Sequence, residues 1–281
     1  MASTNATGTI TIGGDLTVNR MGFGAMRVTG RGVWGDPPDR KAAVALLRKV
    51  VERGVTLLDT ADSYGPGTSE SLIAEALHPY PPSVVIATKG GLVRPGPDRW
   101  DADCRPSRLR EACEASLKRL KLERIDLYQL HTVDGDVPLA DSVGTLVELQ
   151  QQGKIRHIGL SNVNLRELAQ ARKLARIVSV QNRYSLGDRA HDAVVDQCAK
   201  DGLAFLPWYP LAAGALAKRG GKLAEIAKRH NATPIQIALA WLLRRAAVIL
   251  PIPGTSSIAH FEENLAGAGI ALTDAEMKAL G

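Results

Sequence analysis

From Met21 onward the chain repeats one pattern: a short apolar run, a turn, a helical stretch, then another apolar run. The runs fall at residues 20–26, 55–58, 84–88, 125–130, 155–160, 177–181, 203–207 and 248–252. Each is short, apolar and bounded by turn residues, which is how a buried strand reads. The stretches between them carry apolar residues at helical spacing. Residues 39–53, for example, place Ala43, Leu46, Leu47 and Val50 on one face. Further helices are predicted at 69–77, 106–120, 139–152, 165–175, 191–201, 222–230, 234–245 and 258–268. Helix-length crossovers join parallel strands. Eight such units, with no linker-like segment among them, predict a closed (β/α)8 TIM barrel, with residues 1–281 as a single domain. Ahead of the first unit, 9–12 and 16–18 alternate about Gly13-Gly14-Asp15, the sign of an N-terminal β-hairpin closing one end. Residues 90–100, rich in Gly and Pro, read as a loop.

A barrel of this kind acts at the C-terminal rim of its strands. Three of the runs end there in polar residues. The second ends at Asp59 with Tyr64 in the loop beyond, the third at Lys89, and the fourth at His131. A phenol has a pKa near ~10 and is a poor acid at neutral pH. An ammonium within reach stabilises the phenolate, so Lys89 is expected to lower the Tyr64 pKa, and Asp59 to keep Lys89 charged. His131 can hydrogen-bond a carbonyl oxygen and orient it. Together these groups polarise a C=O and protonate it, but none of them attacks its carbon. A hydride from a nicotinamide fills that gap.

The segments Leu-Asp-Thr-Ala-Asp-Ser-Tyr-Gly (58–65), Ala-Thr-Lys-Gly (87–90) and Leu-Tyr-Gln-Leu-His (127–131) resemble the three signatures of the aldo-keto reductase family. The resemblance runs from the hairpin to Asn264. It implies a catalytic tetrad of Asp59, Tyr64, Lys89 and His131, with Tyr64 as general acid in the NADPH-dependent reduction of an aldehyde or ketone. It also implies that Ser161 and Asn162 hold the nicotinamide carboxamide, joined by Gln181. Trp208-Tyr209-Pro210-Leu211 stands where the family has Tyr-Ser-Pro-Leu, so the resemblance makes Trp208, or its neighbour Tyr209, the aromatic that stacks on the nicotinamide. Pro253, Gly254, Thr255, Ser256, His260, Glu263 and Asn264 resemble the segment for the adenosine phosphate, and Gly22 joins the cofactor set. Here the chain departs from the commonest pattern, which has lysine at the position of Gly254 and arginine at that of His260. Thr255, Ser256 and N–H groups at a helix start can still take phosphate, and NADH use stays open beside NADPH. Phe23, Trp34 and Trp100 fall at strand-end or loop positions that could wall the carbonyl pocket. Met21 and Met26 read as barrel filling, and Trp241 as core.

Other classes lose ground on the same sequence. The Gly22-Phe23-Gly24 step lacks the third glycine and prompt helix of a Rossmann dinucleotide site. A net charge of +6 comes without a basic stripe interleaved with aromatics, so nucleic acid is not an expected partner. No run approaches the ~18 apolar residues of a membrane span. Cys104, Cys113 and Cys198 show neither C-x-x-C nor metal spacing, which predicts free thiols, no metal and a reducing cytoplasm. Residues 1–8 lack the features of a secretory signal. No apolar stripe argues for assembly, so a monomer is expected. Two other readings keep the same residues: a Schiff-base aldolase with Lys89 as nucleophile, and a nucleotide-binding redox-sensing module that regulates a partner.

Overall fold

The computed structural model describes residues 8–211 and 221–281; the expectation about a signal at 1–8 falls almost wholly outside them. Seven parallel strands follow one another around the barrel: β3 (Phe23–Gly24), β4 (Leu57–Asp59), β5 (Val85–Gly90), β8 (Ile125–Leu130), β9 (Ile155–Ser161), β10 (Ile177–Gln181) and β11 (Ala204–Phe205). The eighth stave is the backbone at 248–252. It meets β11 through a parallel bridge of Ile249 to Phe205, with Leu250 N donating to Phe205 O at 2.9 Å. On its other side Gly22 N donates to Pro251 O at 2.9 Å, which shuts the ring against β3. Pro251 and Pro253 have no N–H to give, so this stave is a bridge rather than a full strand.

Arg20 reinforces the seam. Its guanidinium donates to Leu243 O and Ala246 O, each at 2.8 Å, and to Ile249 O at 3.3 Å. The first of these carbonyls belongs to the end of α8 (Pro234–Arg245), where helical carbonyls lack intrahelical partners.

Strand alternation sorts the core. Leu57, Val85, Ala87, Leu127, Val178, Leu206, Leu250 and Ile252 form one cluster with Ile12, Leu16 and Val18 of the hairpin β1 (Thr9–Ile12) and β2 (Leu16–Asn19). The hairpin thus stoppers the barrel from below. Its turn is held by Asp15, which accepts from Arg156 at 2.7 Å and pairs with His157 Nε2 at 2.6 Å. The opposite faces of the strands meet the helices in a larger cluster: Leu58, Ile86, Tyr128 and Ile158 with Leu46 and Leu47 of α1 (Arg40–Glu52) and Ile73 of α2 (Thr68–Leu77). Met21 belongs to this outer cluster and not to the barrel filling. Trp241 is core, stacked on Tyr184 at 5.9 Å.

Three stretches differ most from the sequence expectation. The strand predicted over 20–26 narrows to β3, because its backbone gives way to a 3-10 turn, Ala25–Val28. The predicted loop at 90–100 is an antiparallel hairpin, β6 (Leu92–Gly96) with β7 (Arg99–Ala102), turning at Asp98 with φ +55°. A final helix, α10 (Asp274–Leu280), begins in a capping box between Thr273 and Glu276. The remaining helices are α3 (Pro106–Leu120), α4 (Leu139–Gln151), α5 (Leu165–Ala171), α6 (Asp192–Asp201), α7 (Lys222–Arg229) and α9 (Ile258–Ala266). Among the described residues, no helix is long and apolar enough to cross a membrane, and no cluster of His, Cys, Asp and Glu could hold a metal ion.

Candidate active site

Successive side chains of a strand point to opposite faces. Asp59 therefore shares the barrel interior with Leu57, and Lys89 with Val85 and Ala87. His131 follows β8 directly. Its own N–H donates to Gly90 O at 2.9 Å, which ties the ends of β8 and β5 together.

At the top of the barrel these residues meet. Lys89 is fully buried and its Nζ donates to Asp59 Oδ1 at 2.7 Å, to Thr60 O at 2.8 Å and, at 3.5 Å, to Tyr64 OH. The second Asp59 oxygen accepts from Gln181 Nε2 at 2.8 Å and from Gln129 Nε2 at 3.2 Å. The Tyr64 ring lies edge-on to His131 at 5.8 Å and to Trp100 at 6.1 Å. His131 Nδ1 is 3.4 Å from Ser63 Oγ.

The loop that carries Tyr64 is held at several points. Asp62 N donates to Lys89 O, Gly65 N to Val33 O, and Gly35 N to Gly65 O. Gly65 and Gly67 take the left-handed backbone that turns the chain into α2. Behind the loop, Glu70 is wholly buried, yet it pairs with Arg119 at 2.7 Å and accepts from Thr88 Oγ1 at 2.6 Å. Asp62 beside it is pushed up to about 7 by burial and then by the Glu70 charge.

Burial decides the protonation states. It raises the Tyr64 pKa, with Lys89 pulling the other way and losing. The lowered phenol expected from the sequence is thus corrected: desolvation of a buried phenolate outweighs the neighbouring ammonium. Burial also works against the charge of Lys89, but Asp59 and then Tyr64 outweigh it, so the lysine pKa is raised. His131 is driven well below the usual histidine range, first by burial and then by Lys89. The set is therefore a phenol, an ammonium and a neutral imidazole, with Asp59 accepting from Lys89, Gln181 and Gln129.

The residues assigned to the nicotinamide lie along the same rim. Asn162, with φ +57°, donates from Nδ2 to His131 O at 2.9 Å and to Ser161 Oγ at 3.1 Å. Its Oδ1 accepts from Trp208 Nε1 at 2.9 Å. Trp208 is thereby anchored beside the tetrad, whereas Tyr209 is more exposed and stacks with Arg183 at 5.0 Å. Pro210 is buried and Leu211 half-buried at the edge of the described residues.

Across the seam, Pro253 and Thr255 are buried, while Gly254, Ser256 and His260 are exposed at the start of α9. Glu263 is half-buried and Asn264 buried in that helix. A Cβ on Gly254 would fall 2.4 Å from Gly24 O, so the two backbones touch and a lysine at 254 would have to push them apart. Ser256 also lines a cavity of about 250 Å³ with Met26, Arg27, Arg31 and Asp98.

Two expected site residues are packed inside the structure. Phe23 is fully buried edge-on to Phe261, in the packing between β3 and α9 and not in a pocket wall. Gly22 spends its N–H on Pro251 and is crowded by Ile252, Leu250 and Leu57, which makes it a seam residue. Trp34 and Trp100 flank Arg94, and Trp100 also meets Tyr64 edge-on. Gln129 and Arg94 were not picked out in the sequence. Gln129 was within reach, because it stands two residues before His131 and so on the same strand face.

A (β/α)8 barrel whose C-terminal rim gathers Asp, Lys, Tyr and His in contact defines an oxidoreductase of the aldo-keto type. The sequence profile of the Aldo/keto reductase family matches residues 20–281, and the chain belongs to that family. An uncharacterized oxidoreductase of Schizosaccharomyces pombe is 48% identical over 266 residues, which is 95% of this chain and 86% of that protein. Pyridoxine 4-dehydrogenase of Escherichia coli is 42% identical over 273 residues, 95% of each chain. An aldo/keto reductase from Klebsiella pneumoniae, solved in complex with NADP and acetate, superposes with a TM-score of 0.83 at 29% identity, covering 97% of this chain and 93% of that one.

Proposed function

We propose that this chain reduces an aldehyde or ketone to the alcohol with NADPH, and that pyridoxal is the first substrate to test. The reading rests chiefly on one observation: Lys89 Nζ touches both Asp59 and Tyr64 OH inside a buried rim. The 42% identity to a pyridoxine 4-dehydrogenase supports the substrate, and the NADP-bound relative supports the nucleotide. One barrel domain carries the whole function.

The residues present suit a nicotinamide dinucleotide. Gly24 and Gly254 meet backbone to backbone, beside a helix start whose N–H groups and Ser256 hydroxyl suit phosphate. Ser161, Asn162 and Gln181 offer amide and hydroxyl groups for the carboxamide, and Trp208 a flat face. When bound, NADPH supplies the hydride that adds to the carbonyl carbon.

The chain's own residues handle the proton. Tyr64 begins protonated, the state a general acid needs, because burial raises its pKa. As its proton passes to the substrate oxygen, the phenolate left behind is 3.5 Å from the Lys89 ammonium, which stabilises it. Asp59 keeps that ammonium charged. His131, neutral, can donate to the same oxygen without adding a second positive charge. Lys89 held as an ammonium is a poor nucleophile, which speaks against the Schiff-base reading.

The test is NADPH consumption with pyridoxal and a panel of aldehydes, repeated with NADH and with Tyr64→Phe. Turnover by the unaltered chain and none by Tyr64→Phe, with nucleotide binding preserved in both, is the expected result. Undiminished turnover by Tyr64→Phe removes Tyr64 as the acid.

A further inference from the structure

Arg94 is a buried guanidinium, 9% exposed, with no carboxylate within salt-bridge distance among the described residues. It sits on β6, and its donors reach carbonyls of three separate segments. Nε donates to Arg99 O at 2.7 Å, across its own hairpin. Nη1 donates to Val33 O at 2.8 Å and to Ser63 O at 3.2 Å. Nη2 donates to Gly32 O at 2.7 Å and to Gly96 O at 3.3 Å. The segment after β3, the loop that carries Tyr64 and the β6–β7 turn are thus tied by one side chain. Ser63 is the residue immediately before Tyr64.

The face of the same guanidinium lies on an aromatic ring. Its Cζ is 3.7 Å from the centroid of Trp100 and 5.8 Å from that of Trp34. Trp100 in turn stands edge-on to Tyr64, with ring centroids 6.1 Å apart at 84°. Removed from water, a stack of this kind is stronger than an exposed one. A planar fork that bonds in its plane and stacks on its face is a demand that arginine meets and lysine does not.

We propose that Arg94 is a positioning residue of the carbonyl pocket. It fixes Trp100 against Tyr64, so that a carbonyl compound entering the mouth finds a rigid wall beside the acid. This rests on the reductase reading above and assigns a pocket determinant outside the tetrad. Arg94 acts on the bound carbonyl through Trp100, and donates to none of the four tetrad side chains.

The experiment compares Arg94→Lys, Trp100→Leu and the double variant, with NADPH and pyridoxal or 4-nitrobenzaldehyde as probes. For Arg94→Lys we expect KM for the aldehyde to rise about tenfold, kcat to stay within about twofold, and NADPH affinity, read by protein fluorescence, to be unchanged. A merely structural role would instead weaken NADPH binding and kcat together. Because Arg94 acts through Trp100, adding Arg94→Lys to Trp100→Leu should change KM by less than about twofold. Should Arg94→Lys fail to fold, Trp100→Phe serves: its smaller ring keeps the stack and should hold KM nearer the unaltered value than Trp100→Leu does. Unchanged KM in Arg94→Lys, multiplicative effects in the double variant, or equal KM for Trp100→Phe and Trp100→Leu overturns the proposal. No turnover by the unaltered chain overturns the reductase reading and this one with it.

Discussion

Asp59→Asn keeps the shape of a buried side chain and removes its charge. Both Asp59 oxygens face donors: Lys89 Nζ at 2.7 Å on one side, Gln181 Nε2 at 2.8 Å and Gln129 Nε2 at 3.2 Å on the other. Whichever way the asparagine amide turns, its NH2 group meets a donor. Lys89 meanwhile loses its counter-charge while staying fully buried. Breaking a buried pair from one side costs about 3–5 kcal/mol, a large part of a total stability of about 5–15 kcal/mol. At about 2 °C per kcal/mol for a chain of this size, Tm should fall by about 6–10 °C near neutral pH.

The pH dependence separates this cause from ordinary misfit. In the unaltered chain the folded Lys89 pKa is raised above 10.5, so the stability from its charge is complete below that value and fades only as pH climbs through the folded pKa. In Asp59→Asn burial persists without the carboxylate, and the folded pKa drops below the unfolded one. The unfolded state then binds more protons, and the variant gains stability as pH rises, by up to about 1.4 kcal/mol per unit. Melting followed by circular dichroism from pH 6 to 9 should show the gap to the unaltered chain closing. Adding Lys89→Met should recover part of the loss, since both charges are then gone. A gap of constant size across pH, or a double variant that merely sums the singles, refutes the reasoning.

Gly254→Lys restores the cation of the commonest family pattern but places a Cβ 2.4 Å from Gly24 O. It should cost about 1–3 kcal/mol without tightening NADPH; fluorescence titration that finds tighter binding at unchanged Tm would contradict this. Cys104, Cys113 and Cys198 are free and buried, each thiol pushed up to about 12 by desolvation. Ellman's reagent at mildly alkaline pH should label none of them in the folded protein and all of them after denaturation; fast labelling of the native chain would count against the packing described. Glu276 is held down at about 2 by the Thr273 N–H and then by His230, so it supports α10 above 4.5 and loses that support as pH falls toward 2. Glu276→Gln should flatten that acid limb of the melting profile, and an unaltered limb would remove the assignment.

Local signals carried much of this molecule. The helix predicted over 234–245 is α8 residue for residue, and the structure shows Thr233 and Gln236 capping its start. Ile125–Leu130 and Ile177–Gln181 were legible because each is an apolar run with turn residues on both sides. The capping box of Thr273 and Glu276 was equally present, but α10 buries few apolar residues and gave no periodicity. The hairpin β6–β7 stayed hidden because its composition is that of a loop. Its order comes from Arg94, whose partners lie 61 and 62 residues away at Val33 and Gly32. The acidity of Tyr64 was misjudged for a similar reason. The sequence shows which charge is near, but not how much water is missing, and at Tyr64 the missing water decides.

The contacts that shut the ring join residues 223 to 229 positions apart, Arg20 to Leu243, Ala246 and Ile249. Loops of that span close late. The stave these contacts secure runs straight into residues 253–257, the platform assigned to the nucleotide phosphate. A growing polypeptide halted before Leu243 lacks both the latch and the platform. On the proposed assignment, readiness for cofactor would coincide with completion of the circle, and a nucleotide resting there would discriminate finished molecules from partial ones.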